Sequence, residues 1–274
     1  MQVYRYMDIG TAKPSPAERA EIPYHLVDEK DPDEQFSAGQ FAESAEGLIP
    51  QIASRGRLPV MCGGTAFYVK NFLFGVPETP PSTPEVRKAV QADLAARGAQ
   101  SLHDELRAAD PLSAERIHVN DLYRITRALE VIRSSGKPLS AFAVPNRPRQ
   151  DYDLLILGLE RGRDELYCRA DRRVDAMFAA GLVSEVEALR ARGYGFDAPG
   201  LQAIGYREFA ASFDAANSRV RPELLPSLLE DVQRDTRHYV KRQLTFFRAL
   251  PGIQWFHAQD DSGVARAVSQ WWAP

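Results

Sequence analysis

The stretch PVMCGGTAFYVKNF (59–72) sets an apolar run, a glycine pair and a threonine directly before a helical pattern. Gly63 and Gly64 would let the backbone come close to a ligand, and Thr65 would open the helix, where its hydroxyl and the free N–H groups favour phosphate oxygens. The same residues also suit an ordinary strand-to-helix turn with a threonine cap. A stronger signal lies near the C-terminus, in a long helical pattern carrying Arg234, Arg237, Lys241 and Arg248. Spacings of 3, 4 and 7 keep these within roughly one 60° sector. Leu229, Val232, Tyr239, Phe246 and Phe247 fall opposite and are expected to face the core. No Asp or Glu occurs from Thr236 to Gln259. A solvated helix usually interleaves acids, so the stripe calls for an anion from elsewhere, such as a diphosphate or an RNA backbone. A third group is Arg124 and Arg127 with Tyr123 beside them, on a helix whose apolar stripe faces away. That set suits phosphate contact and base stacking, or simply a solvated face.

Other reactive side chains form no such sets. The histidines show no metal spacing, and His25 and His118 read as loop or packing residues. No Ser-His-Asp or Cys-His constellation can be assembled. Cys62 and Cys168 make neither a metal motif nor a disulfide framework and are expected to fill apolar positions.

The elements that must hold these residues follow from periodicity. LPVMC (58–62), LLILGL (154–159) and IQWFH (253–257) read as buried strands separated by long helical patterns, the signature of a parallel α/β sheet. Val3 and Tyr4 suggest the end of a further strand before the loop at Gly10, Thr11 and Pro14. The Pro-rich stretches 76–84 and 144–150 read as boundaries. Between them, the helix from Pro84 should stop at Gly98, with Val86, Ala89, Val90 and Leu94 on one face. DLYRITRALEVIRSSG should be capped by Asn120 or Asp121 and bury Leu122, Ile125, Leu129 and Ile132. This predicts an α/β core from 1–76 and 151–274 with a helical insertion at 77–150. The 274 residues and net charge of −3 suit one large domain plus a smaller unit and exclude a globally basic nucleic-acid binder. No apolar run approaches the ~18 residues of a membrane span, and no signal-peptide layout is present, so a soluble, cytoplasmic protein is expected.

Taken in order, MQVYRYMDIGTAKP, HLVDEKDPDEQFSAGQF, PVMCGGTAFYVKNF, IHVNDLYRITRALEV with SGKPLS, GLVSEVEALRARGYGFDAPGLQAIGYREF and TRHYVKRQLTFFR resemble the bacterial tRNA dimethylallyltransferases over nearly the whole chain. The resemblance implies a P-loop, nucleotide-kinase-like parallel sheet core with a helical insertion that grips the anticodon arm. It implies transfer of a dimethylallyl group from dimethylallyl diphosphate to the exocyclic amine of the adenosine 3′-adjacent to the anticodon, in tRNAs reading codons that start with U, with Mg²⁺ assisting. Thr65 resembles the threonine that stabilises the leaving diphosphate. Gly63, Gly64, Arg237 and Lys241 match its surroundings. Met1, Gln2, Arg87, Tyr123, Arg124, Arg127, Gly205, Tyr206 and Arg207 match positions that contact tRNA. A monomer is implied, with no membrane. Ala66-Phe67 stands where the family often has Gly-Leu.

The family normally carries an Asp-Ser pair just before the segment resembling MQVYRYMDIG, and a G-P-T-x-S-G-K-T phosphate loop further upstream. No GxxxxGK[ST] occurs in this chain. On this resemblance Met1 is expected to match an internal position, the first strand, phosphate loop and general-base Asp are absent, no metal ligand remains, and 1–274 alone is expected to be inactive and poorly stable. Two other readings stand beside it. An enzyme prenylating free adenine nucleotides would need no insertion at 84–134, whereas a non-catalytic RNA-binding remnant would keep the clamps without the active centre.

Overall fold

The computed structural model describes residues 1–77, 79–142, 148–214 and 219–272. Their contacts divide into two compact units, Met1–Phe72 with Gln150–Pro274, and Leu73–Arg149. The boundary stretches at 76–84 and 144–150 include Glu78 and residues 144–147, which lie outside the described residues.

The first unit begins in tight turns rather than on a strand. Val3 and Tyr4 are buried, but the only β pairing of this segment among the described residues is an isolated parallel bridge between Tyr4 and Lys30. Helices α1 (Pro16–Glu21) and α2 (Ala38–Ala53) each start with a capping box, Ser15 with Glu18 and Ser37 with Gln40; these satisfy free N–H groups at the first turn. Helix α3 (Ala66–Phe74) follows the Gly-Gly-Thr turn.

The second unit is helical. Helix α4 (Pro84–Ala109) is broken at Gly98, whose φ of 76° lies in the left-handed region, so the expected stop is realised as a kink after which helix resumes. Helix α5 is Pro111–Arg116, and α6 spans Leu122–Ser135. Asp121 caps α6 by accepting from the Arg124 N–H, and Gly136 closes it at φ 68°. Val90, Leu102, Leu106, Ile125, Ala128 and Leu129 form the core of this unit, with Val86, Leu94 and Ile132 against it. Leu122, expected inside, is exposed at the first turn of α6.

After residue 150 the chain adds strand β1 (Ile156–Glu160), helices α7 (Arg163–Ala179) and α8 (Leu182–Ala191), the short strands β2 (Phe213–Asp214) and β3 (Arg219–Val220), helix α9 (Leu225–Arg248), strand β4 (Ile253–His257) and helix α10 (Asp261–Trp272). Strands β1 and β4 pair in parallel, Ile156 opposite Ile253 through Glu160 opposite His257. β2 and β3 pair antiparallel. The core gathers Met7, Val174, Leu182, Val186, Leu189, Leu201, Tyr206, Phe209, Leu228 and Val232, so turns from the first residues pack under α7, α8 and α9.

The expected strand at 58–62 does not form. The segment is irregular, with Val60 76 % exposed and Met61 41 % exposed. A strand needs a neighbour for its N–H and C=O groups, and no described strand pairs with it. Cys62, at its end, and Cys168, on α7, are both exposed rather than buried. No described helix is long and apolar enough to cross a membrane.

Candidate functional site

Within the first unit the glycine-threonine turn is held by α9. Tyr239 donates its hydroxyl to the Gly64 carbonyl at 3.1 Å, and Gln243 Nε2 donates to the same oxygen at 2.7 Å. The turn then feeds α3, with Thr65 O accepting from the Tyr68 N–H at 2.9 Å. Among the described residues the Thr65 hydroxyl has no hydrogen-bond partner, so it does not act as a cap. A Cβ on Gly64 would meet the far end of the flexible Gln243 side chain, 2.1 Å from its Nε2. Tyr239, expected to face the core, is instead at the surface as a ligand of the turn. Its side chain joins an aromatic body to a polar tip and sits at the rim of the helix's apolar face.

The basic stripe of α9 finds acids inside the protein. Arg237 bonds Asp171 on α7, Arg248 bonds Glu160 on β1 at 3.1 Å, and Arg234 bonds Asp231 and Asp235 on its own helix. The anion expected from outside is therefore supplied for these arginines by the fold. Lys241 is exposed and has no ion-pair partner among the described residues.

The first thirteen residues form a tightly built loop. Gln2 donates from Nε2 to the carbonyls of Thr11 and Ala12, at 3.2 and 2.9 Å. Lys13, whose side chain is only 2 % exposed, donates to the Tyr4 carbonyl at 2.8 Å and to Asp8 and Asp28 at 2.6 Å each. Burial disfavours the Asp28 charge, but Lys13 and Arg19 outweigh it and hold that carboxyl below its usual range. Met1 is exposed, and its carbonyl accepts from the Tyr4 N–H.

Glu185 on α8 grips the same loop. Its carboxylate accepts from the N–H groups of Asp8, Ile9 and Gly10 and from the Tyr206 hydroxyl. Tyr206, matched to an RNA-contacting position, is fully buried and so acts from inside the fold rather than on its surface. Gly205 has φ 90° and donates its N–H to Glu208. Arg207 is engaged by Asp235 at 2.8 Å and Glu208 at 3.0 Å. Those contacts, Asp235 foremost, raise its affinity for the proton, whereas burial pushes the Glu208 carboxyl up.

In the helical unit, Tyr123 is 79 % exposed on α6. Arg124 is also exposed and pairs with Asp121, at 3.3 Å. Arg87 lies exposed on α4. Arg127 does not project beside Arg124 as expected. It turns to Thr79 Oγ1 at 3.2 Å and the Pro80 carbonyl at 3.4 Å, and pairs with the buried Glu130 at 3.5 Å. Arg127→Ala should therefore lower the melting temperature of the helical unit, because it strands a buried carboxylate. Arg124→Ala should leave the melt unchanged. Thermal unfolding of the two variants side by side checks this; equal melts would contradict the assigned contacts.

A family model described as IPP transferase matches residues 2–250. The chain belongs to that family. Similar proteins support the membership. A tRNA dimethylallyltransferase of Geobacter sulfurreducens is 45 % identical over 256 residues, covering 93 % of this chain and 80 % of that protein. One from Geobacillus kaustophilus is 41 % identical, covering 98 % and 84 % respectively. Among solved structures, the chain is similar to a full-length tRNA isopentenylpyrophosphate transferase of Bacillus halodurans, with TM-score 0.65 and 37 % identity over 98 % of this chain and 83 % of that one. It is also similar to a eukaryotic dimethylallyltransferase solved acting on tRNA, with TM-score 0.76 and 26 % identity over 98 % of this chain and 68 % of that one.

Glu185, Lys13, Tyr239 and Gln243 were not singled out by residue type and spacing. Lys13 and Glu185 lie inside motifs that carry the resemblance, TAKP and GLVSEVEAL. Nothing local marks a glutamate on an amphipathic helix as the acceptor for a loop some 175 residues away.

Proposed function

We propose that this member of the IPP transferase family transfers a dimethylallyl group from dimethylallyl diphosphate to the exocyclic amine of the adenosine 3′-adjacent to the anticodon of tRNA. The observation that carries the reading is the turn Gly63-Gly64-Thr65. Its carbonyl is tied back to Tyr239 and Gln243, while the threonine hydroxyl at the start of α3 has no hydrogen-bond partner among the described residues. A donor held on a fixed turn at a helix N-terminus suits an oxygen that gains charge as the bond to the allylic carbon breaks. Lys241 adds a cation with no ion-pair partner among the described residues, on the helix that grips the turn. Gln2, on the locked first loop, would meet the target adenosine, and the amine would then attack the allylic carbon as diphosphate leaves. Gly205 and Arg207 shape the loop above α9, whereas Arg87, Tyr123 and Arg124 on the helical unit offer exposed contacts to the anticodon arm.

Magnesium is implied by the resemblance, but no group of three His, Cys, Asp or Glu side chains among the described residues could hold a metal ion. Mg²⁺ usually takes one or two carboxylates together with substrate phosphates and waters, so an ion carried mainly by the diphosphate stays part of this proposal. We further take the working protein to be a cytoplasmic monomer.

The test offers tRNA and AMP in parallel with labelled dimethylallyl diphosphate, in a version carrying the upstream phosphate loop that the resemblance implies. Label on the adenosine next to the anticodon, and none on AMP, supports the reading; label on AMP favours a free-nucleotide enzyme. The tRNA contact has its own check. Arg124→Ala should weaken binding of an anticodon stem-loop and lower the slope of log affinity against log salt by about 0.7–0.9, one phosphate's worth of counterion. An unchanged slope would remove Arg124 from the interface.

A further inference from the structure

We infer that Glu185 is a positioning residue that, with Tyr206, sets the orientation of Gln2 through the turn at residues 7–12. The inference rests on the assignment of Gln2 to the target adenosine. The connection can be followed bond by bond. Glu185 Oε2 accepts from the N–H groups of Asp8 and Ile9 at 2.8 and 2.7 Å, and Oε1 accepts from Gly10 at 3.1 Å and from the Tyr206 hydroxyl at 2.6 Å. A carboxylate has about four lone-pair sites, and these donors fill them. Directly after Gly10, the carbonyls of Thr11 and Ala12 hold both amide hydrogens of Gln2. Gln2 Oε1 makes no hydrogen bond among the described residues, so its one open function is that of an acceptor, suited to the N–H of an adenine amine.

The surroundings are built to allow a single arrangement. Gly10 lies against the Tyr206 side chain, where a Cβ would approach two ring carbons and the hydroxyl oxygen at 2.6 Å. Thr11 Oγ1 bonds the carbonyl of the wholly buried Met7 at 2.6 Å. Tyr6 and Ala12 flank the gripped amides at φ 65° and 47°, and Leu26 and Asp28 in the adjoining loop stand at 59° and 58°. Non-glycine residues keep such angles only where neighbouring contacts over-determine them. Here those contacts are the Glu185 carboxylate on one side of the turn and Lys13 on the other. Burial and the adjacent Glu185 charge push the Tyr206 phenol upward, so it stays a donor.

Glu185→Gln tests the inference, because the amide can accept at one end only and must face a backbone N–H with its own N–H at the other. The readout is the preference of the chain for an anticodon stem-loop RNA carrying adenosine over one carrying inosine at the target position. Inosine offers a carbonyl where adenosine offers the amine. The expected result is an approximately tenfold loss of preference in Glu185→Gln, the same loss in Gln2→Ala, and no further loss in the double variant, as coupled residues require. Amide exchange at Asp8, Ile9 and Gly10 should rise in Glu185→Gln. A purely structural role would lower the melt and leave the ratio of affinities unmoved. Tyr206→Phe keeps the ring under Gly10 and removes only the hydroxyl, so a smaller loss is expected; should Glu185→Gln not fold, an unaltered preference in Tyr206→Phe overturns the inference. Loss of preference in Gln2→Ala with full preference in Glu185→Gln overturns the role of Glu185 and keeps that of Gln2. No loss in Gln2→Ala overturns both at their shared premise.

Discussion

Thr65→Ala should slow dimethylallyl transfer about 10²–10³-fold, the usual cost of losing one donor to a developing oxyanion, and should leave tRNA affinity within about twofold. The size follows from where the hydroxyl stands. It makes no hydrogen bond to a described residue, so the substitution breaks no internal contact and little stability should be lost. The turn that carries it stays pinned, because Tyr239 and Gln243 hold the Gly64 carbonyl and not the threonine. Any large effect must then come from the reacting diphosphate, where charge grows only as the bond breaks. Single-turnover transfer is the measurement, in a version carrying the upstream phosphate loop that the resemblance implies, with anticodon stem-loop affinity measured alongside. A normal single-turnover rate would reduce Thr65 to a turn residue. A parallel drop in affinity and rate would place it against the RNA instead.

Gly10→Ala should be the most destabilising small substitution in the first unit. The new methyl would sit 2.6 Å from the Tyr206 ring, and that ring is buried in the core with its hydroxyl bonded to Glu185. Neither the ring nor the turn can retreat without breaking the bonds to the amides of Asp8, Ile9 and Gly10. Overpacking of this kind costs about 1–3 kcal/mol, which corresponds to a fall of roughly 3–10 °C in melting temperature for a unit of this size. Gly64→Ala is the informative contrast. Its near neighbour is the end of the flexible Gln243 side chain, which can swing aside, so the melt should hardly change. Thermal melts of the pair separate the cases; equal shifts would mean that Tyr206 is not the fixed partner described here.

The sequence by itself determined most of the helices and the two strands of the parallel pair. Apolar spacing outlines α6 with Asn120 or Asp121 as its cap, the long α9, and IQWFH as β4, because caps and amphipathic periodicity are properties of neighbouring residues. The ordered motifs also pointed to the family, since they hold the local chemistry of turns and helix starts. What depends on distant partners was decided only in three dimensions. The run LPVMC is apolar enough for a strand, yet a strand exists only with a neighbour, and none of the described strands lies beside it. Arg237 and Arg248 of α9 looked unpaired because their acids, Asp171 and Glu160, lie 66 and 88 residues away along the chain. Tyr206 was matched to an RNA contact by the resemblance alone, whereas the fold closes over its ring and spends its hydroxyl on Glu185. Charge pairing and burial are set by distances through space, and the linear order of residues does not contain them until the chain has packed.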